Sequence, residues 1–332
     1  MVAPPVELEN TTDLRARMFR GEPEPGLMLC VVVAKVAFEI RPDGSLSACP
    51  ADEVEILEEA APTPAGLLPS DQVPYRPGVD LFVHARAHAP RGRPTPAMEV
   101  ALQLGRFEHR LLVIGDRRWT RAGHPSSPEP FVTLPLTYDR AYGGQATSRG
   151  QLVAWPDNPE GRGFVYEEST AEGTVLPNVE NPAQRITSWR DRPKVMGWAP
   201  VPQQTATHLR RSIDIVDAET YAYRFTPQVF SSAHPDLVLP ELAPGTQGML
   251  AGVDPSGRFA FSTPMLELAA TVELGPKQHD IAASLDTLGI LVDTRRLLAT
   301  YRVSFRYRFV PKQIRRVRLA VADRPLSRAQ SS

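Results

Sequence analysis

The residues that could do chemistry are few and scattered. There are seven histidines. His84 and His88 lie on one face of an extended segment but roughly 13 Å apart along it, too far to share an ion. They read as a strand-face histidine followed by a turn histidine before Pro90. Neither has a cysteine or carboxylate at ligand spacing, and His109, His124, His208, His234 and His279 are isolated from one another, so no metal site is expected. Two cysteines are present. Cys30 lies in an apolar run, where a reduced thiol packs like a small hydrophobe, and no disulfide with Cys49 is expected. Asp116, Asp139, Glu180 and Asp236 are the carboxylates from which a glycosidase pair would be assembled, but nothing in their spacing joins two of them. No nucleophile elbow, phosphate loop or dinucleotide fingerprint occurs. Gly143-Gly144 and Gly161-Arg162-Gly163 precede no helix, so neither offers the helix N-terminus that cradles an anion. These residues point to a non-enzymatic protein without catalytic residues, cofactor or metal.

What the sequence offers instead is a set of polar, aromatic and glycine-bearing loops. They run through 115–119, 134–144, 158–164 and 176–180. Their candidate partner-binding residues are Asp116, Arg117, Trp119, Tyr138, Arg140, Tyr142, Gly143, Gly144, Asn158, Arg162, Asn178 and Glu180. Arg, Tyr and Trp dominate interface hot spots, and loops stiffened by Pro lose less entropy on binding. The same residue types also serve a purely internal purpose, because irregular loops leave backbone carbonyls that side chains must satisfy.

The elements that must position these loops are short strands. The chain has 332 residues, 42% hydrophobic and 23% charged, which fits a folded globular protein. Its 34 prolines and 22 glycines demand many turns and disfavour long helices. Residues 29–40 form a valine-rich run ending at the Pro42-Asp43-Gly44 turn. Met98 to Leu104 alternates apolar and polar residues, and Phe107 to Ile114 follows across Gly105, a hairpin signature. Further strands are expected at 80–87, 213–216, 248–253, 258–261, 267–274, 288–292 and 300–310, with a hairpin turn at Asp254-Pro255-Ser256-Gly257. Helix is expected only as a short acidic segment at 52–60 and a turn or two within 231–242. The fold class is therefore all-β or β-dominated: packed antiparallel sheets, sandwich-like, with long Pro/Gly-rich loops and few short helices. One domain is expected over 25–312, between an N-terminal extension (1–24) and a basic, then polar tail (313–332).

Charge argues against two classes of partner. Lys plus Arg number 37 against 38 Asp plus Glu, so no global field draws nucleic acid or an anionic membrane. The local run Lys312, Arg315, Arg316 and Arg318 beside Phe305, Tyr307 and Phe309 reads as an alternating strand with basic residues at its end. The N-terminus shows no basic segment followed by an apolar one. The longest apolar run, 27–40, contains Lys35 and Glu39 and is too short to span a bilayer. A cytoplasmic location is expected.

An ordered set of short pieces resembles a known bacterial family. In order these are Val33-Ala34-Lys35-Val36-Ala37-Phe38, Ser70-Asp71-Gln72-Val73-Pro74-Tyr75-Arg76-Pro77 and Val79-Asp80-Leu81. Ala87-His88-Ala89-Pro90 and Gly115-Asp116-Arg117 with Trp119 follow. Next come Leu134-Pro135-Leu136, then Tyr138 and Arg140-Ala141-Tyr142-Gly143-Gly144, the most specific piece. Asn158-Pro159 with Gly161-Arg162-Gly163-Phe164, Pro177-Asn178 with Glu180, and Leu285-Asp286-Thr287-Leu288 complete the set. The chain resembles the domain-of-unknown-function family DUF2169 over about residues 28–310. Two departures stand out. Tyr301-Arg302 takes the place where the family carries Trp-Arg, and 205–230 matches poorly, lacking an expected glycine- and tryptophan-bearing motif.

The resemblance implies an adaptor or chaperone of bacterial type VI secretion. Its implied partners are a toxic effector and the VgrG/PAAR spike onto which the effector is loaded. An exposed sheet edge or the 116–180 loops would hold a segment of the cargo. Three other readings compete. A carbohydrate- or peptidoglycan-binding β module would gather Trp119, Trp155, Trp189 and Trp198 in an exposed groove. A hydrolase would hold two close carboxylates in a deep pocket. A structural component of the secretion apparatus would self-associate.

Overall fold

The computed structural model describes residues 6–201, 213–217, 222–310, 313 and 315–322. Three sheets carry the architecture. The largest runs Val238–Leu239, Val79–His84, Ser284–Leu291, Arg296–Arg308, Leu27–Ile40, Arg15–Glu24, with Leu46–Ala48 added to Leu27–Ile40. Val79–His84 and Ser284–Leu291 pair in parallel, and the other neighbours in this sheet pair antiparallel. A five-stranded sheet runs Val179–Glu180, Phe107–Ile114, Ala97–Leu104, Gln247–Ala251, Arg258–Ser262. A four-stranded sheet runs Glu7–Asn10, Arg315–Val321, Leu268–Leu274, Lys277–Ala282. The chain is strand-dominated, and the helical segments among the described residues are 3-10 turns of three or four residues.

Alternation along the strands explains how the sheets share one core. On Leu27–Ile40, Cys30, Val32, Ala34 and Val36 point into the main core, where they join Leu81 and Val83, Val100 and Leu102, and Val272 and Val317 from the three sheets. Val31 and Val33 point the other way and meet Ile56 in a smaller core. The strand is therefore buried on both faces, which is why its sequence reads as a near-continuous apolar run.

The two hairpins foreseen in the sequence form. Leu104 pairs with Phe107 across Gly105, whose φ of 58° suits a glycine. Gln247–Ala251 pairs with Arg258–Ser262 around 254–257, where the Asp254 carboxylate accepts from the Ser256 backbone N–H at 2.8 Å.

Two expectations differ from the structure. The acidic segment at 52–60 holds only the 3-10 turn Ala51–Glu53. Val54 and Ile56 are buried while Glu55 is exposed, a two-residue period that keeps this stretch extended. The residues set outside the domain, 1–24 and 313–332, also contribute strands. Glu7–Asn10 pairs with Arg315–Val321, which pairs in turn with Leu268–Leu274. The alternation of Arg316, Val317, Arg318 and Leu319 is the signal for that strand. Lys312, like 323–332, lies outside the described residues. No helix among the described residues is long and apolar enough to cross a membrane.

Candidate functional site

The four candidate loops come together as one module with its own small core. Trp119, Tyr142, Val165, Ala171, Leu176 and Ile186 form that core, with Trp155 and Trp189 packed against it. Arg117 is buried beside it. Its guanidinium donates to the Pro177 carbonyl at 3.0 Å and to the Glu180 carboxylate, whose other oxygen accepts from the Ile186 N–H at 3.0 Å. Asn158 donates to the Tyr138 and Tyr142 carbonyls at 2.7 and 3.2 Å. Gly143 and Gly144 allow the chain to pass there. A Cβ on Gly143 would lie 2.0 Å from the Asn158 carbonyl oxygen, and one on Gly144 would lie 2.6 Å from that of Gly161.

Asn178 is the hub. Its amide donates to the Ile114 carbonyl and the Asp116 carboxylate, both at 2.9 Å. Its carbonyl oxygen accepts from Arg140 at 2.9 Å and Arg162 at 3.5 Å. Arg140 lies 3.9 Å from Asp116, and Arg162 lies 3.3 Å from Asp139. The side chains of Asp116 and Asp139 are 59% and 56% exposed, those of Arg140 and Arg162 28% and 27%. The other nine candidate residues are buried. Of the candidate side chains, only those of Asp116, Arg140 and Arg162 reach the surface, where Asp139 joins them. These groups form a balanced polar surface of fixed geometry, able to donate to and accept from a polar backbone.

A second cluster lies on one face of the largest sheet. Lys35, Arg302, Asp286 and Asp80 come from four adjacent strands, and the 70–76 segment lays Asp71 and Arg76 across them. Lys35 binds Asp71 at 2.7 Å, Arg76 binds Asp80 at 2.6 Å, and Arg302 binds Asp286 at 2.5 Å. Ser231 Oγ and the Ser232 N–H also donate to Asp80, at 2.7 and 2.6 Å. Three cations thus meet three carboxylates away from water. Each member comes from a sequence piece on which the family resemblance rests, or from the Tyr301-Arg302 position that departs from it.

Sequence reasoning missed a third cluster. His109 and His234, read as isolated, meet Asp236 in a group whose ligand atoms lie within 4.8 Å of one another. Lys194 binds the Asp236 carboxylate at 2.5 Å. Burial lowers the pKa of His109 and pulls that of His234 down to about 4. Burial works to raise the Asp236 pKa, but the Lys194 hydrogen bond and the neighbouring charges outweigh it and leave it low. The Trp198 indole N–H donates to His109 Nδ1 at 2.9 Å. Nδ1 is therefore the acceptor, and the neutral ring carries its proton on Nε2, the atom that faces Asp236 at 3.6 Å. A metal-ligating histidine has the opposite arrangement, donating through its second nitrogen. His109 does not fit a metal ligand.

The remaining candidates are plainly placed. His84 is buried, with Nε2 2.9 Å from the Leu67 carbonyl oxygen. His208 lies outside the described residues. Trp119 and Trp198 are fully buried and present no stacking face. Arg315 is also buried and stacks on Tyr307 and Phe309, so the basic and aromatic residues near the C-terminus pack on each other.

Fold and site together define a β scaffold with internally braced loops and a small polar surface. The chain belongs to the bacterial family described as "Uncharacterized protein conserved in bacteria (DUF2169)", whose model matches residues 26–302. No curated protein and no solved structure matches it.

Proposed function

We propose that this chain is a non-enzymatic cytoplasmic adaptor that binds a toxic effector of type VI secretion and helps load it onto the VgrG/PAAR spike. The observation that carries the reading is the bracing of Asp116, Arg140 and Arg162 around the buried Asn178 amide. A surface held in place before contact loses little entropy when a partner docks. Because the exposed groups are hydrogen-bond donors and acceptors of both signs, the surface suits a polypeptide better than a polyanion. Family membership supports the secretion context through the adaptor role that the sequence pieces imply.

The test is an affinity pull-down of the tagged chain from its native cell, with mass spectrometry. Wild type is expected to recover a toxin-domain protein together with a spike or PAAR protein. A folded Arg140→Glu/Arg162→Glu variant is expected to lose the toxin. Recovery of neither partner while the secretion system is expressed would overturn the adaptor reading. Equal recovery by wild type and variant would move the contact away from this surface.

A further inference from the structure

A separate feature lies where the four-stranded sheet meets the largest one. A cleft of about 130 Å³ opens there, and its walls include the apolar side chains of Leu242, Pro264, Leu266, Leu268, Ala283 and Leu285. Tyr301 also lines it. This residue is 3% exposed, and its hydroxyl has no hydrogen-bond partner among the described residues. A buried hydroxyl left unmade costs about 1–3 kcal/mol, which a bound acceptor recovers. Glu267 stands in the wall with an exposed carboxylate and no ion pair among the described residues. Burial and then the Glu267 charge push the Tyr301 phenol up, so the two groups share one electrostatic environment. Met265 and Val321, each next in sequence to a residue of the wall, are 79% and 56% exposed. The strand Lys277–Ala282 pairs only with Leu268–Leu274 among the described residues, and it reaches the cleft through Ala282.

We infer that this cleft receives one apolar side chain of an extended polypeptide. Its backbone pairs with the open edge of Lys277–Ala282, and a Lys or Arg beside the apolar residue meets Glu267. Each element of the occupant answers a feature on the wall. The volume suits a single side chain and falls below the roughly 300–1,000 Å³ of small-molecule sites. The open edge presents unpaired N–H and C=O groups, whose complement is another extended backbone. The Tyr301 hydroxyl, covered in the free protein, turns into the cleft to donate to a carbonyl of the incoming segment. The lone carboxylate calls for a cation. Lys277 and Asp280 on the same edge discourage indiscriminate pairing, as charged edge strands do, so affinity depends on the cleft. The inference rests on the reading of this chain as a polypeptide-binding adaptor and specifies the segment it takes.

The experiment pans short random peptides displayed on phage against the full-length protein. Recovered peptides are expected to share an apolar residue next to Lys or Arg. A synthetic copy of the leading peptide is expected to protect the 277–282 amides from hydrogen exchange. Ala283→Trp, which fills the cleft, abolishes that binding, and Glu267→Lys weakens it. Tyr301→Phe weakens it roughly two- to tenfold. This last variant removes only an unpaired hydroxyl, so it remains readable if Ala283→Trp does not fold. No enrichment over background, binding unchanged in Tyr301→Phe and Ala283→Trp, or protection elsewhere would each overturn the cleft. None of these touches the adaptor reading, which stands or falls on the pull-down.

Discussion

Trp198 holds His109 through a 2.9 Å hydrogen bond to Nδ1, while His234 holds its own ring by placing Nε2 2.9 Å from the Val195 carbonyl oxygen. The two rings, 6.0 Å apart between centroids, are thus fixed in the same Nε2–H tautomer but turn different nitrogens to one carboxylate. His109 presents an N–H to Asp236, and His234 presents a lone pair. Zinc requires a lone pair from both. Adding zinc is therefore expected to leave the melting temperature unchanged, and a stoichiometric rise would show that His109 can turn over and release Trp198.

The same cluster predicts acid sensitivity. His234 has a folded pKa of about 4 against 6.5 for the free side chain. Between those values the unfolded chain takes up a proton that the folded chain refuses. The contribution of His234 is full above pH 6.5 and is lost as pH falls towards 4. By linkage, stability at pH 5 should lie about 2 kcal/mol below that at pH 8 from this residue alone. His109 is shifted in the same direction by burial and adds to the slope. Urea unfolding at the two pH values measures it. A His234→Asn variant should flatten the difference, and an unchanged slope in that variant would place the proton uptake elsewhere.

The buried ionic face predicts a large and unequal set of losses. The Arg76 and Asp80 side chains have no exposed surface. Asp80→Ala leaves the Arg76 guanidinium with Asp286, 4.0 Å away, as its nearest carboxylate and orphans the Ser231 and Ser232 donors, so a cost of about 3–5 kcal/mol is expected. Replacing Arg76 and Asp80 together with apolar residues should cost less than the sum of the two single changes. Guanidinium midpoints for the two single variants and the double variant decide this. Strict additivity would mean that the pair is not coupled.

These clusters also show what the sequence could and could not carry. Strand positions were legible because Met98 to Leu104 and its neighbours alternate with period two. The ionic pieces could be read as motifs, but not as a network. Lys35 and Arg302 meet Asp71 and Asp286 only after four strands align, and register is a property of the folded sheet. His109 and His234 are far apart in sequence and meet because the Phe107–Ile114 strand runs beside the 195–198 and 231–236 segments. The loop residues were ambiguous for a physical reason. Asn178 spends its amide on Ile114, Asp116, Arg140 and Arg162, and the same amide on a surface would serve a partner. Residue type does not distinguish the two uses, whereas burial does.

Burial also separates two arginines that look alike in the sequence. Arg117 is buried against Glu180, whereas Arg162 is partly exposed and pairs with the exposed Asp139. Arg117→Met leaves the Glu180 carboxylate without its cation and should destabilise the protein by about 3–5 kcal/mol. Arg162→Met should cost no more than about 1 kcal/mol. Hydrogen exchange would show the Arg117 loss first in residues 115–186. Comparable losses from both variants would mean that Glu180 is not confined as the structure has it.

Glycine 143 gives the sharpest local test of whether the loop geometry, rather than its side chains, prepares the polar surface. Its φ is 148°, and a Cβ there would press on the Asn158 carbonyl oxygen. Gly123 has a φ of 78° but nothing within 4 Å of its missing Cβ. Gly123→Ala should therefore cost only backbone strain, about 1–3 kcal/mol. Gly143→Ala should cost more, since the chain must also move away from Asn158. That movement releases the Tyr138 and Tyr142 carbonyls that Asn158 holds, and Arg140 follows Tyr138 by two residues. Thermal melts rank the two variants by stability, and effector recovery ranks them by function. If Gly143→Ala remains folded yet loses effector while Gly123→Ala keeps it, the position of the backbone carries recognition. If both keep effector, the braced loops serve only the fold.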